Sequence, residues 1–210
     1  MTELILALDV PDRSRALTIA RSCAPYLDAL KIGYPLVLSC GLSIAQDLAF
    51  LDIPLIADFK VADIPSTNTL ICEQVFGAGF DAVIVHGFPG ADSLNACVET
   101  AHAHQGAVYV VAEMSHPGAM EFFTPVAERI ARLAVETGAE GIIAPATRPE
   151  RITILRAIVR NKKIYSPGVG TQGGDLDQVA NLADGVIVGR SIYDQPDPAS
   201  VAREMSRIRR

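Results

Sequence analysis

Asp58, Lys60 and Asp63 bring three charges into six positions directly after a short apolar run, Ile53-Pro54-Leu55-Ile56. The run reads as a buried strand. Residues two apart on an extended chain point to the same side, so Asp58 and Lys60 face one interior. Asp63 sits just beyond, where strand gives way to loop. Burying charge is unfavourable unless it is paired, and alternating carboxylate, ammonium and carboxylate meets that cost internally. An ammonium held this way suits a reaction that makes a carbanion and then protonates it. The other reading is a structural ion-pair network, which buried ion pairs serve poorly.

A second set of residues reads as an anion site. Pro167-Gly168-Val169-Gly170-Thr171-Gln172-Gly173-Gly174-Asp175 follows an apolar run, and Val188-Gly189-Arg190 ends the next one. Glycines bring backbone N–H groups close to a ligand, and successive N–H groups before a helix start make an anion nest. Arginine adds a planar fork of donors suited to phosphate. Gly168, Gly170 and Gly173 also fit G-x-G-x-x-G, but a dinucleotide fingerprint belongs early in a βαβ unit, and only one strand remains here.

The elements that must position these groups alternate from end to end. Strands are expected over Leu4–Val10, Ala29–Gly33, Pro54–Lys60, Ala82–Gly87, Ala107–Met114, Gly141–Ala146, Lys163–Val169 and Gly185–Ser191. Helices are expected over Arg13–Cys23, Pro35–Phe50, Ser66–Ala78, Ala91–His104, Thr124–Thr137, Pro149–Arg160, Asp175–Leu182 and Pro198–Arg207. The strands lack a polar alternate face, as burial under helices on both sides requires. Eight strand–helix units and no linker point to a single-domain (β/α)8 TIM barrel over residues 1–210. An open doubly wound sheet is the alternative. Barrel chemistry sits at the C-terminal strand ends. There the sequence places Asp9, Lys31, Asp58, Lys60, His86, Ser115 and Arg190. The stretch Ser115–Phe123, with Pro117-Gly118 at its turn, reads as a lid that closes over a ligand and excludes water.

Composition narrows the classes. A net charge of −6 argues against a broad nucleic-acid footprint. The basic C-terminal cluster Arg203, Arg207, Arg209 and Arg210 reads as a solvated helix face. Four scattered cysteines have neither zinc nor redox spacing, which fits reduced thiols and a cytoplasmic setting. No apolar run approaches membrane-spanning length, and no secretory signal is expected. His102 and His104, two apart in an expected helix, point in different directions, so they do not share a metal.

The stretch Asp58-Phe59-Lys60-Val61-Ala62-Asp63-Ile64-Pro65 resembles the signature of the orotidine 5′-phosphate decarboxylase family. So do Leu6-Ala7-Leu8-Asp9, Leu30-Lys31-Ile32-Gly33, Val85-His86-Gly87, Met114-Ser115-His116-Pro117-Gly118 and Ser166–Gly174, in order. The compact length is most similar to the family's archaeal form. The resemblance implies a metal-free, cofactor-free decarboxylation of orotidine 5′-monophosphate to uridine 5′-monophosphate, the last step of pyrimidine biosynthesis. By position, Lys60 would protonate the ring carbon and Asp58 would lie against the leaving carboxylate. Lys31 and Asp63 would complete a Lys–Asp–Lys–Asp array. Asp9 and Lys31 would hold the ribose and Ser115 the pyrimidine. Gln172 and Arg190 would hold the phosphate, within a pocket shared with Pro167, Gly168, Val169, Gly170 and Gly189. Asp63, Ile64 and Thr67 would enter the site of a neighbouring subunit, so the resemblance implies a homodimer.

Two other functions are compatible with parts of this pattern. The 3-keto-L-gulonate 6-phosphate decarboxylase and hexulose phosphate synthase group shares the barrel and D-x-K-x-x-D, but resembles this chain less at strand two. There it uses a magnesium-binding glutamate where this chain has Lys31. A non-catalytic phosphonucleotide-binding barrel would keep Gln172 and Arg190 while losing the charge array, which is intact here.

Overall fold

The computed structural model describes residues 1–209. Eight parallel strands follow one another around a closed barrel: β1 (Glu3–Ala7), β2 (Ala29–Gly33), β3 (Leu55–Val61), β4 (Ala82–His86), β5 (Ala107–Val111), β6 (Gly141–Ile143), β7 (Lys163–Pro167) and β8 (Gly185–Val188). Closure is made by β8 against β1, where Glu3 to Leu6 pair with Gly185 to Val188. That ladder excludes the open sheet and gives the (β/α)8 barrel.

Each strand is buried on both faces. Leu4, Leu6, Leu30, Ile32, Leu55 and Ala57 point outward into the layer shared with the helices. Ile5, Ala7, Ala29, Ile56, Ile84, Val111, Ile143 and Ile187 fill the barrel interior. Lys31 follows Ala29 by two and Asp58 follows Ile56 by two, so strand alternation sends both side chains inward at the top of that interior. At the opposite end the Tyr109 and Tyr165 rings stack with centroids 4.5 Å apart. The Tyr109 hydroxyl donates to that of Tyr165 (3.1 Å), which donates to Glu3 Oε2 (2.5 Å), and Lys163 Nζ donates to Glu3 Oε1 (2.7 Å). Burial is the main cause that raises the Tyr165 pKa, so this floor stays a neutral phenol pair above one ion pair.

The helices are α1 (Arg13–Cys23), α2 (Tyr34–Cys40), α3 (Ile44–Leu48), α4 (Pro65–Gly77), α5 (Ala91–Ala103), α6 (Ala119–Phe122), α7 (Ala127–Glu136), α8 (Pro149–Val159), α9 (Leu176–Ala180), α10 (Arg190–Tyr193) and α11 (Pro198–Met205). The single helix expected over Pro35–Phe50 is broken, because Gly41 adopts φ 76°, a left-handed conformation open to glycine. Several strands stop earlier than expected. β6 ends at Ile143, two residues before Pro145, which has no N–H to give a ladder. Arg190 does not end the last strand; it opens α10 behind Gly189. No single helix among the described residues is long and apolar enough to cross a membrane.

Candidate active site

β2 and β3 are neighbours in register, with Lys31 beside Ile56 and Gly33 beside Asp58. That register sets the two inward charges together. Lys31 Nζ donates to Asp58 Oδ2 at 2.5 Å, and Lys60 Nζ donates to Asp58 Oδ1 at 2.7 Å. Asp9, from the loop after β1, lies 4.0 Å from Lys31 Nζ. The Lys31 and Asp58 side chains are only 7% and 12% exposed, while Lys60 is 35% exposed and faces the opening. Burial alone would raise the Asp58 pKa, but the ammoniums of Lys31 and Lys60 outweigh it and hold the carboxyl below its usual value. A buried carboxylate charged at neutral pH thus fixes two ammoniums, the more exposed of which lines the cavity.

The route by which Lys60 reaches this position differs from simple alternation. Lys60 has φ 48°, in the left-handed region that non-glycine residues rarely enter. The β3–β4 register shifts here: Ala57 pairs with Val83 and Val61 with Val85, so Asp58, Phe59 and Lys60 oppose Ile84 alone. The Tyr34 hydroxyl, from the first turn of α2, donates to the Phe59 carbonyl at 2.7 Å, and its ring stacks on Phe59 with centroids 5.2 Å apart.

A cavity of about 260 Å³ opens above these charges. It is lined by Asp9, Lys31, Asp58 and Lys60 on one side, and by Pro167, Gly168, Val169, Gln172, Gly189 and Arg190 on the other. Ser115 and Met114 close it from the loop after β5. Ser115 Oγ donates to Gln172 Oε1 at 2.6 Å, which ties the expected lid to the glycine loop. Arg190 is in no ion pair among the described residues, so its guanidinium is left for a ligand.

Four expected site residues do not line this cavity. Gly170 is one of them, and part of the expected nest of N–H groups is closed within the loop. The N–H groups of Gly170, Gly173 and Gly174 bond to Gly174, Gly170 and Gly168 carbonyls within the loop. Gln172 and Arg190 are the expected polar side chains that this wall presents to the cavity. Asp63, Ile64 and Thr67 lie outside the cavity of their own chain. Asp63 Oδ1 accepts from the Ile64 N–H at 2.7 Å, and its carbonyl accepts from Ser93 Oγ at 2.8 Å. Asn68, buried, bonds the Asp63 N–H through Oδ1 and Ser93 through Nδ2. The loop is therefore fixed to α5 while Ile64 stands 63% exposed.

His86 ends β4 between the rings of Phe88 and Phe123, and does not line the cavity. Burial, with the Lys60 charge adding to it, lowers its pKa to about 4, so it is neutral at physiological pH. The sequence did not single out Thr171, Ser191 or Tyr193, which line the cavity beside Gln172 and Arg190. Ser191 Oγ accepts from the Thr171 N–H at 3.0 Å, joining the loops after β7 and β8. Glu113 was also missed. It is fully buried just past β5, where it accepts from Arg151 Nε (2.8 Å), Arg148 Nε (3.3 Å) and Thr124 Oγ1 (2.6 Å). Arg148 also donates to the Met114 carbonyl, beside the lid. No group of three or more His, Cys, Asp or Glu side chains among the described residues converges as a metal would need.

The chain resembles known proteins along nearly its whole length. An orotidine 5′-phosphate decarboxylase of Methanosarcina barkeri is 58% identical over 97% of this chain and 92% of its own. One from Thermococcus kodakarensis is 49% identical over 97% and 95%. The crystal structure of orotidine 5′-monophosphate decarboxylase from Methanocaldococcus jannaschii complexed with inhibitor BMP superposes with a TM-score of 0.96 at 43% identity, covering 99% of this chain and 98% of that one. The Pyrococcus horikoshii enzyme superposes with a TM-score of 0.90 at 45% identity, covering 98% of both chains. The family model described as orotidine 5′-phosphate decarboxylase / HUMPS family matches residues 2–205, and the chain belongs to that family.

Proposed function

We propose that this protein decarboxylates orotidine 5′-monophosphate to uridine 5′-monophosphate without a metal or other cofactor, in pyrimidine biosynthesis. The observation that carries this reading is the Lys31–Asp58–Lys60 relay at the floor of a cavity whose far wall holds Gln172 and Arg190. The nucleotide's phosphate binds Gln172 and Arg190, its ribose Asp9 and Lys31, and its pyrimidine lies beneath Ser115. The bond from ring carbon to carboxylate breaks, and its electron pair stays on that carbon in the plane of the ring. Carbon dioxide leaves. Lys60 Nζ then gives its proton to the carbon, and solvent restores the ammonium.

The barrier falls only through interactions stronger in the transition state than in the ground state. The Lys60 ammonium meets charge developing on carbon, and Asp58 holds it there without reorganisation. Asp58 also repels the substrate carboxylate it faces, and that repulsion is relieved as carbon dioxide departs. Asp63, Ile64 and Thr67 serve the cavity of a second copy in a homodimer, which fits a rigid loop presenting an exposed isoleucine. The one-domain enzyme works in the cytoplasm, in keeping with four cysteines that are all free thiols.

The test follows the change in pyrimidine absorbance on adding orotidine monophosphate in excess chelator. Turnover undiminished by EDTA is expected. Loss in EDTA with rescue by magnesium would point to the sugar-phosphate decarboxylases of the same family, and binding without turnover to a non-catalytic barrel.

A further inference from the structure

A left-handed lysine in the middle of a charge relay needs something to hold it there. Non-glycine residues in this conformation are strained and persist only where their surroundings over-determine them. At Lys60 the regular determinant is missing, because the register shift leaves residues 58–60 opposite Ile84 alone. The contact made instead on the peptide that joins Phe59 to Lys60 comes from outside the sheet. The Tyr34 hydroxyl donates to the Phe59 carbonyl at 2.7 Å, and the Tyr34 ring lies on Phe59 at an interplanar angle of 15°. Phe59 in turn meets Phe80 edge to face, with centroids 5.8 Å apart. Tyr34 stands three residues after Lys31, so one short segment carries both the buried ammonium of the relay and the grip on the backbone of the exposed one.

We propose that Tyr34 is a positioning residue: its hydroxyl fixes the Phe59–Lys60 peptide and so aims Lys60 Nζ at Asp58 and the cavity. The proposal rests on the decarboxylation reading for its kinetic consequence. Tyr34 touches no cavity surface, and its ring is about half exposed. Water can replace the lost hydroxyl as a donor to the carbonyl, but it imposes no fixed direction. Removal of the hydroxyl therefore acts on rate more than on folding.

Tyr34→Phe keeps the ring and deletes the donor. Its kcat for orotidine monophosphate falls about 10- to 100-fold, the scale of displacing a reacting group by up to about an ångström, while KM and uridine monophosphate affinity stay within about two-fold. Its crystal structure shows Lys60 leaving either positive φ or its contact with Asp58. Phe80→Leu loosens the aromatic packing and leaves the hydroxyl; it lowers the unfolding temperature and keeps kcat near that of the parent. A parent-like kcat in Tyr34→Phe, or an equal loss of kcat in both variants, overturns the assignment. If the parent does not turn over orotidine monophosphate, the decarboxylation reading fails. The position of Lys60 in crystalline Tyr34→Phe then decides the positioning claim by itself.

Discussion

Asp58→Asn keeps the shape of the relay and removes its only anion. In the parent, Asp58 accepts from two ammoniums at 2.5 and 2.7 Å. At an effective dielectric near 20, each attraction is worth roughly 6 kcal/mol before desolvation is subtracted. The net effect of removing one member of a buried ion pair is smaller, about 3–5 kcal/mol. The lower end applies here, because Lys60 is partly open to water and Lys31, though left largely stranded, keeps Asp9 4.0 Å away. A loss of about 3 kcal/mol corresponds to an unfolding temperature lower by about 6–12 °C for a chain of this size. Adding Lys31→Met removes the stranded charge, so the double variant regains stability relative to Asp58→Asn, with a coupling of about 1–3 kcal/mol. The pH dependence follows from the same contacts. The folded Asp58 pKa is depressed, so its stabilisation is complete above the unfolded value, near 3.9, and is lost as pH falls through the folded one. Asp58→Asn therefore flattens the acid limb of stability below about pH 4. Urea unfolding of the parent, both single variants and the double variant across pH measures all of this. A double variant no more stable than Asp58→Asn would refute the stranded-charge argument.

Lys60→Ala abolishes turnover while calorimetry still detects uridine monophosphate binding; near-normal turnover removes the proton-donor role. Arg190→Ala weakens nucleotide affinity by about 1.5–3 kcal/mol, the scale of a hydrogen bond to a charged group, and leaves nucleoside affinity unchanged; equal weakening of both would remove the phosphate assignment. Glu113→Ala leaves Arg148 and Arg151 facing a buried void and lowers stability by about 3–5 kcal/mol in urea titration. Ile64→Asp, on the exposed loop, shifts the protein toward monomer in sedimentation and depresses turnover with it; an unchanged mass and rate would separate this loop from any shared site.

The barrel was legible because two-sided strands cannot hide: eight apolar runs with helical stretches between them admit few arrangements. The pairing of Asp58 with Lys60 was legible from their spacing, but the backbone that achieves it was not. Nothing in Asp58-Phe59-Lys60 marks a left-handed lysine, because the cause lies in the register of β4 and in Tyr34, a residue 26 positions upstream. Glu113 escaped for a related reason. Its partners Arg148 and Arg151 belong to another strand–helix unit, and each looks like an ordinary surface charge when read alone. The glycine loop was located correctly in the chain, yet its glycines bond mostly to one another, which only folding reveals. Asp63, Ile64 and Thr67 turn away from their own cavity, a direction that single-chain periodicity does not encode.

The stacked tyrosines across the lower end of the barrel have a consequence for traffic. The two rings and the Glu3–Lys163 bridge fill the barrel axis at that end, so the cavity that holds Asp58 and Lys60 opens at the other. Carbon dioxide released in the reaction then leaves on the side where Ser115 and Gln172 join their two loops. Exit and entry are thus governed by the same two loops, and a substitution that widens their gap hastens departure at the expense of the dryness on which the chemistry depends.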